Sequence, residues 1–232
     1  MSQRFLLILM ALLFTSGPII SQASHHEDLS QEVSHHYAHN KDVKIHYVKA
    51  GSGPLVVMVH GFPDYWYSWR HQMNGLKKDF TVVAMDQRGY NRSDQPGGVE
   101  SYAMHNLVSD VIAVIRDTGA TQATVVGHDW GGAVAWQVAF NAPEVVQNLV
   151  ILNLPHPNGM ARELANNPEQ QRNSSYARRF IEGSAEDPDI RFGAPMNPQP
   201  LARWVQDPAA KVLYEAAFAR SSFNGMLNFY KA

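Results

Sequence analysis

Cysteine is absent from the 232 residues. Its absence excludes disulfide bonds, a thiolate nucleophile and cysteine-ligated metal sites. A dominant charge sign is also missing: 19 Lys and Arg stand against 21 Asp and Glu, for a formal net charge of −2. Such a chain has no basic field to hold a phosphate backbone, so nucleic acid is not expected as a partner. The unbroken apolar run Phe5 to Phe14 is too short to span a bilayer comfortably. No histidine follows His156. There is no internal repeat and no long low-complexity segment.

What is present points to a packed domain. The chain is 45% apolar and 17% charged, which is the composition of a globular protein. Its length fits one large domain, or a domain with an inserted subdomain.

The first residues read as an export signal. Arg4 gives a positive start, Phe5 to Phe14 the apolar stretch, Gly17-Pro18 a break, and Ser21-Gln22-Ala23 a small-residue cleavage site. Residues 1–23 are therefore expected to be removed, leaving an exported chain (periplasmic or secreted) with no stable membrane anchor. An uncleaved anchor is the alternative. Residues 24–40 are polar and hold His25, His26, His35, His36 and His39. Their Ser, Glu, Asp and Gln neighbours read as a solvated leader rather than a metal-binding tract, and no metal site is assigned.

From residue 41 to residue 154 the chain alternates strands and helices. Val43, Ile45 and Tyr47 alternate with polar residues, as in a half-exposed edge strand. Leu55 to Val59, Thr81 to Met85 and Asn148 to Leu154 are continuous apolar runs, the mark of strands covered on both faces. Tyr65 to Leu76 is amphipathic. Leu107, Val108, Val111, Ile112, Val114 and Ile115 have helical spacing, and Gly119 stands where a helix would stop. This alternation predicts an α/β fold with a mostly parallel sheet. Ligands in such sheets bind beyond the carboxyl ends of the strands. His60-Gly61-Phe62-Pro63, Asp86-Gln87-Arg88-Gly89, Asp129 and Pro155-His156-Pro157 all fall there.

The central stretch is Thr124 to Gly132. A β-branched run ends in Gly127-His128-Asp129-Trp130-Gly131, and a helix-forming segment follows at once. This is the pattern of a sharp strand-to-helix turn with Asp129 in the nucleophile position. Its glycines let strand and helix approach closely. From Pro155 onward buried runs cease. Glu169 to Glu182 and Ala209 to Arg220 read as helices, with the Pro-rich Ala194 to Pro200 between. Residues 155–232 are expected to form a helical lid inserted after the sixth strand.

Over about residues 41 to 232 the chain resembles the α/β-hydrolase fold and, within it, the epoxide hydrolases. The resemblance rests on His60-Gly61-Phe62-Pro63, Arg88-Gly89-Tyr90-Asn91-Arg92-Ser93-Asp94, Gly127 to Gly132, Pro155-His156-Pro157, and the lid segments Tyr176 to Phe180 and Leu227 to Tyr230. It implies that Asp129 attacks a small epoxide and forms an alkyl ester, which water then hydrolyses to a vicinal diol. It implies that Tyr176 and Tyr230 are acids toward the epoxide oxygen. The backbone N–H groups of Phe62 and Trp130 would form the oxyanion hole. Trp130, Phe62 and Pro63 would line the substrate pocket, and the Phe62-Pro63 bond would be cis. No metal or organic cofactor is implied. His60, His128, His156, Asp86, Arg88, Trp66 and Trp69 read as structural.

The same resemblance implies a water-activating histidine and its acidic partner after the lid, on further strands of the core. Neither occurs by Ala232. The fold is therefore expected to be C-terminally incomplete, with one sheet edge bare and apolar helix faces uncovered, and turnover is expected to suffer without the base. Two alternatives carry over. A haloalkane dehalogenase shares the Asp nucleophile and the following Trp, but typically has Asn where Phe62 stands and lacks the tyrosine pair. A truncated, non-catalytic binding module is the other.

Overall fold

The computed structural model describes residues 29–191 and 193–232. The export signal expected over residues 1–23 lies outside the described residues, as do residues 24–28 with His25 and His26. The described residues form six strands: β1 (Ser34–Asn40), β2 (Val43–Ala50), β3 (Leu55–Val59), β4 (Thr81–Met85), β5 (Ala123–His128) and β6 (Val146–Leu152). They make one sheet in the order β1-β2-β4-β3-β5-β6. β1, β2 and β4 pair antiparallel, and β4, β3, β5 and β6 run parallel. The fold class expected from the alternation is the one observed.

Three helices belong to the core: α1 (Arg70–Leu76), α2 (Met104–Asp117) and α3 (Trp130–Asn141). α2 turns Leu107, Val111, Val114 and Ile115 inward, all buried. Gly119 ends it at φ 83, a conformation that costs glycine little. α3 packs with Val134, Ala135 and Val138 fully buried. Each such valine contributes roughly 1.5–3 kcal/mol of burial. Six further helices form the lid: α4 (Pro157–Asn166), α5 (Pro168–Asn173), α6 (Ser175–Glu182), α7 (Pro198–Leu201), α8 (Pro208–Ala219) and α9 (Phe223–Lys231). α9 inserts Met226, Leu227 and Phe229 into the core. None of the described helices is long and apolar enough to cross a membrane.

Three expectations need correction. The polar leader ends early, because residues 34–40 are strand β1, paired with β2 from Ser34 opposite Lys49 to Asn40 opposite Val43. An edge strand is held by backbone bonds to one neighbour, and only Ala38 of β1 is buried, so no apolar alternation marks it. Its histidines instead stack across the strands: His36 on Tyr47 and His35 on His46, each with ring centroids 5.1 Å apart.

The run expected as a buried strand over Asn148 to Leu154 is an edge strand over Val146–Leu152. Leu149 and Ile151 pack against the core. Val150 and Leu152, on the opposite face, remain 44% and 38% exposed. Phe140 of α3 is exposed as well.

The single helical pattern of Glu169 to Glu182 divides into α5 and α6. Ser174 turns the chain at ψ 2, and its Oγ accepts a hydrogen bond from Gln170 Nε2 at 2.8 Å. A serine hydroxyl that takes local partners competes with the helical ladder.

Candidate active site

β5 ends at His128, and the next residue, Asp129, adopts φ 53 and ψ −123. Residues other than glycine rarely occupy such a backbone, and its strain must be held by the surroundings. The neighbouring glycines hold it. A Cβ on Gly127 would lie 2.2 Å from the Gly131 carbonyl oxygen, and one on Gly131 would lie 2.1 Å from that of Val59. Only glycine lets β5, α3 and the end of β3 meet this closely. Trp130 is the first residue of α3, so the Asp129 carboxylate sits at the positive end of a helix.

The chain leaving β3 crosses in front of this turn. Its Phe62-Pro63 peptide bond is cis. The Phe62 backbone N–H donates to Asp129 Oδ1 at 2.8 Å. The Trp130 N–H, in the first turn of α3, has no acceptor within its own helix. Two backbone donors thus flank Asp129, one of them directed at the carboxylate itself.

A cavity of about 270 Å³ opens above Asp129. Asp129, Trp130, Met160, Leu164, Tyr176 and Tyr230 border it. Met160 and Leu164 come from α4, Tyr176 from α6 and Tyr230 from α9, so the lid supplies much of its border. Of the residues expected to line the pocket, Trp130 does so. Pro63 is buried and, like Phe62, does not border the cavity; the Phe62 ring packs against Phe180 and Tyr230, at centroid separations of 5.3 and 5.6 Å.

Tyr176 and Tyr230 meet edge to face with centroids 6.4 Å apart. Burial pushes both phenols above the ordinary tyrosine value, and the Asp129 charge adds to the shift. Both therefore carry their protons at neutral pH and can act only as donors toward a basic oxygen. Tyr230 also takes a hydrogen bond from the Trp130 side chain, and its ring stands 5.0 Å from that of Trp130.

Sequence reasoning passed over Arg191. Its guanidinium lies over the rings of Phe62 and Phe180, at 5.8 and 5.9 Å from their centroids. Burial lowers its pKa, while interactions with Tyr230, Tyr176 and Asp129 favour its charge. A cation there offsets negative charge on the carboxylate, and on a phenol that has given up its proton. Arg191 belongs to no motif, and its neighbours Asp189, Gly193 and Pro195 read as loop, so nothing in the sequence marked it.

The residues read as structural brace the neighbouring strand ends. Asp86, at the end of β4, is fully buried. Its Oδ1 accepts the Trp66 N–H at 3.0 Å, and its Oδ2 accepts from His46 Nδ1 at 2.6 Å and Asn91 Nδ2 at 2.8 Å. Burial alone would raise the Asp86 pKa, but these bonds outweigh it and the pKa falls. Arg88 pairs Asp110 through Nε and Nη2, both at 2.7 Å. His60 is buried, and its Nε2 accepts the Gln87 N–H at 3.0 Å; burial lowers its pKa, so it stays neutral. His156 caps α4 through Nδ1, which accepts the Asn158 N–H at 3.2 Å. None of the described residues bordering the cavity is a histidine, and no group of three His, Asp or Glu among the described residues is arranged to hold a metal ion.

Known proteins resemble this chain. The family described as alpha/beta hydrolase fold matches residues 54–218. Epoxide hydrolase 4 of Mus musculus is 40% identical over 147 residues, 62% of this chain and 41% of its own length. Epoxide hydrolase 1 of Caenorhabditis elegans is 43% identical over 142 residues, 60% of this chain and 35% of its own length. The chain thus spans about two fifths of the length of these relatives. The crystal structure of a Bacillus megaterium epoxide hydrolase in complex with an inhibitor superposes with a TM-score of 0.75 at 36% identity, covering 84% of this chain and 71% of that one. The chain belongs to the alpha/beta hydrolase fold family, and within it is similar to epoxide hydrolases.

Proposed function

We propose that the protein opens small epoxides, and that Asp129 is the nucleophile. The observation that carries this reading is one arrangement. A carboxylate on a strained strand-to-helix turn faces two protonated tyrosines across an apolar cavity of about 270 Å³. Substrate in that cavity would have its oxygen toward Tyr176 and Tyr230 and a ring carbon toward Asp129. An Asp129 oxygen then forms a bond to the carbon, the carbon–oxygen bond of the epoxide breaks, and the freed oxygen takes a proton from a tyrosine. The product of this step is a hydroxyalkyl ester of Asp129, with a phenolate that Arg191 helps to stabilise.

Hydrolysis of the ester adds water to its carbonyl carbon and releases a vicinal diol, regenerating the carboxylate. The N–H groups of Phe62 and Trp130 would bind the oxygen that becomes negative in that addition. The histidine implied by the resemblance would activate the water. Epoxide hydrolysis in the similar proteins supports the reading. The test is incubation with styrene oxide, following epoxide loss by chromatography. Consumption equal to or above one equivalent of protein, abolished in Asp129→Asn, supports the proposal. A folded protein that consumes none contradicts it.

We also propose that the protein is exported. Arg4, the apolar run Phe5 to Phe14 and the small-residue site at Ser21 to Ala23 support this. Amino-terminal sequencing of protein recovered from outside the cytoplasm should begin near Ser24. An intact Met1 on protein found only inside the cell would contradict it.

A further inference from the structure

A second cleft, of about 290 Å³, lies at the seam between core and lid, away from Asp129. The core contributes His35 of β1 and Arg92 of the loop after β4, and the lid contributes Arg220, the residue after α8. Trp66 and Leu213 give it apolar wall. Among the described residues, no Asp or Glu borders it. Two arginines and a histidine therefore converge on one space without a carboxylate among them, which favours an anion.

Two of these groups, His35 and Arg220, are tied to a buried network beneath them. His35 Nδ1 lies 2.8 Å from His46 Nε2, and His46 Nδ1 lies 2.6 Å from Asp86 Oδ2. Two ring nitrogens that close must share one proton, so a buried carboxylate fixes the His35 ring through His46. On the other bank, Arg220 Nε and Nη2 both donate to Asn91 Oδ1, at 2.9 and 2.8 Å. Asn91 Nδ2 in turn donates to Asp86 Oδ2 at 2.8 Å. His35 and Arg220, on opposite banks, are thus tied to the same buried carboxylate, and Arg92 Nη1 lies 3.4 Å from His35 Nδ1. A site whose donors are already in place binds with less loss of freedom.

We propose that this cleft binds the oxyanion group of a small organic acid, a carboxylate or a phosphate, between Arg92, Arg220 and His35. The apolar wall takes the body of the molecule. The bound anion would span core and lid three residues before α9, the helix that carries Tyr230. Nothing in this site depends on chemistry at Asp129. The groups acting on His35 are His46, Arg92 and His36, which with burial lower its pKa, and Asp86, which raises it. A bound anion favours protonated His35, so affinity should rise as pH falls through the histidine range.

The test is calorimetric titration of the protein with benzoate, inorganic phosphate and neutral benzamide, at about pH 5.5 and about pH 8. Saturable binding of benzoate or phosphate is expected, tighter at the lower pH, and whichever binds identifies the head group. Arg92→Gln and Arg220→Gln should each weaken it roughly tenfold or more. Arg220→Gln also removes bonds to Asn91, so Arg92→Gln, which alters an exposed side chain, is the decisive variant once its melting temperature is shown to match the wild type. Benzamide binding as tightly as benzoate, affinity unchanged in Arg92→Gln, or no saturable binding of either anion would each overturn the proposal.

Discussion

Two aspartates stand at the carboxyl ends of parallel strands β4 and β5 of one sheet, and their surroundings differ. Asp86, beyond β4, is fully buried and accepts hydrogen bonds from Trp66, His46 and Asn91. Asp129, beyond β5, sits at φ 53 and borders a cavity, with the Phe62 N–H on one oxygen. The first carboxylate joins three pieces of backbone into a platform. The second is lifted out of ordinary geometry and faces open space with protonated donors opposite. A carboxylate whose lone pairs are engaged by fixed donors gives stability, whereas one with a free oxygen beside a ligand-sized space can give chemistry. The same residue type at two strand ends thus stands in opposite surroundings.

The comparison is broken most sharply by exchanging each carboxylate for a neutral group. Asp129→Asn should lower the rate of epoxide consumption on the order of a thousandfold or more while the protein melts as the wild type does. Asp86→Ala should reverse the pattern. It leaves His46, Trp66 and Asn91 without their acceptor and should cost about 3–5 kcal/mol in a urea titration. A stability loss of that size from Asp129→Asn would erase the distinction.

Smaller effects sharpen it. Tyr176→Phe and Tyr230→Phe should each slow ester formation, with roughly a hundredfold loss in the double variant, read by stopped reaction and mass spectrometry. Arg191→Gln should slow the same step about tenfold, with little change in melting. Both tyrosine pKa values are raised, so the rate should not fall through phenol ionisation below about pH 10.

The smallest effect concerns how stability follows pH. The folded pKa of Asp86 is depressed. Its contribution is present above the unfolded carboxylate value and is lost as pH falls through the folded one. Asp64, on the loop just after Pro63, is pushed up to about 7 by burial, against the Tyr65 N–H and the Tyr214 and Ser68 hydroxyls that bond it. Its folded form keeps a proton longer, so its contribution falls as pH rises from the carboxylate range to about 7. Asp64→Asn should flatten the stability profile across that window, and an unchanged slope in denaturant titrations would contradict the assignment.

The legible parts of the molecule are those whose chemistry is local. The Gly127 to Gly132 turn needs small residues at fixed offsets, and its strand and helix follow from composition. The buried β3 and β4 announce themselves as apolar runs because both faces are covered. β1 was hidden because backbone bonding to β2 asks nothing of its side chains beyond a small residue at Ala38. The exposed face of β6 was hidden for the opposite reason: an apolar run does not say which of its faces has a neighbour. Within the candidate site, the motifs carried Asp129, Phe62, Trp130 and the lid tyrosines. Arg191 escaped because its place depends on how an irregular lid segment folds back over two aromatic rings. The Asp86–His46–His35 chain escaped because it joins residues from three separate segments.

The measurement that bears most directly on the division between the two aspartates is peptide mapping by mass spectrometry after brief exposure to styrene oxide. A hydroxyalkyl ester is expected on the peptide containing Asp129, absent in Asp129→Asn, with the Asp86 peptide unmodified in both. Modification at other carboxylates with Asp129 untouched, or an adduct that persists in Asp129→Asn, would contradict it.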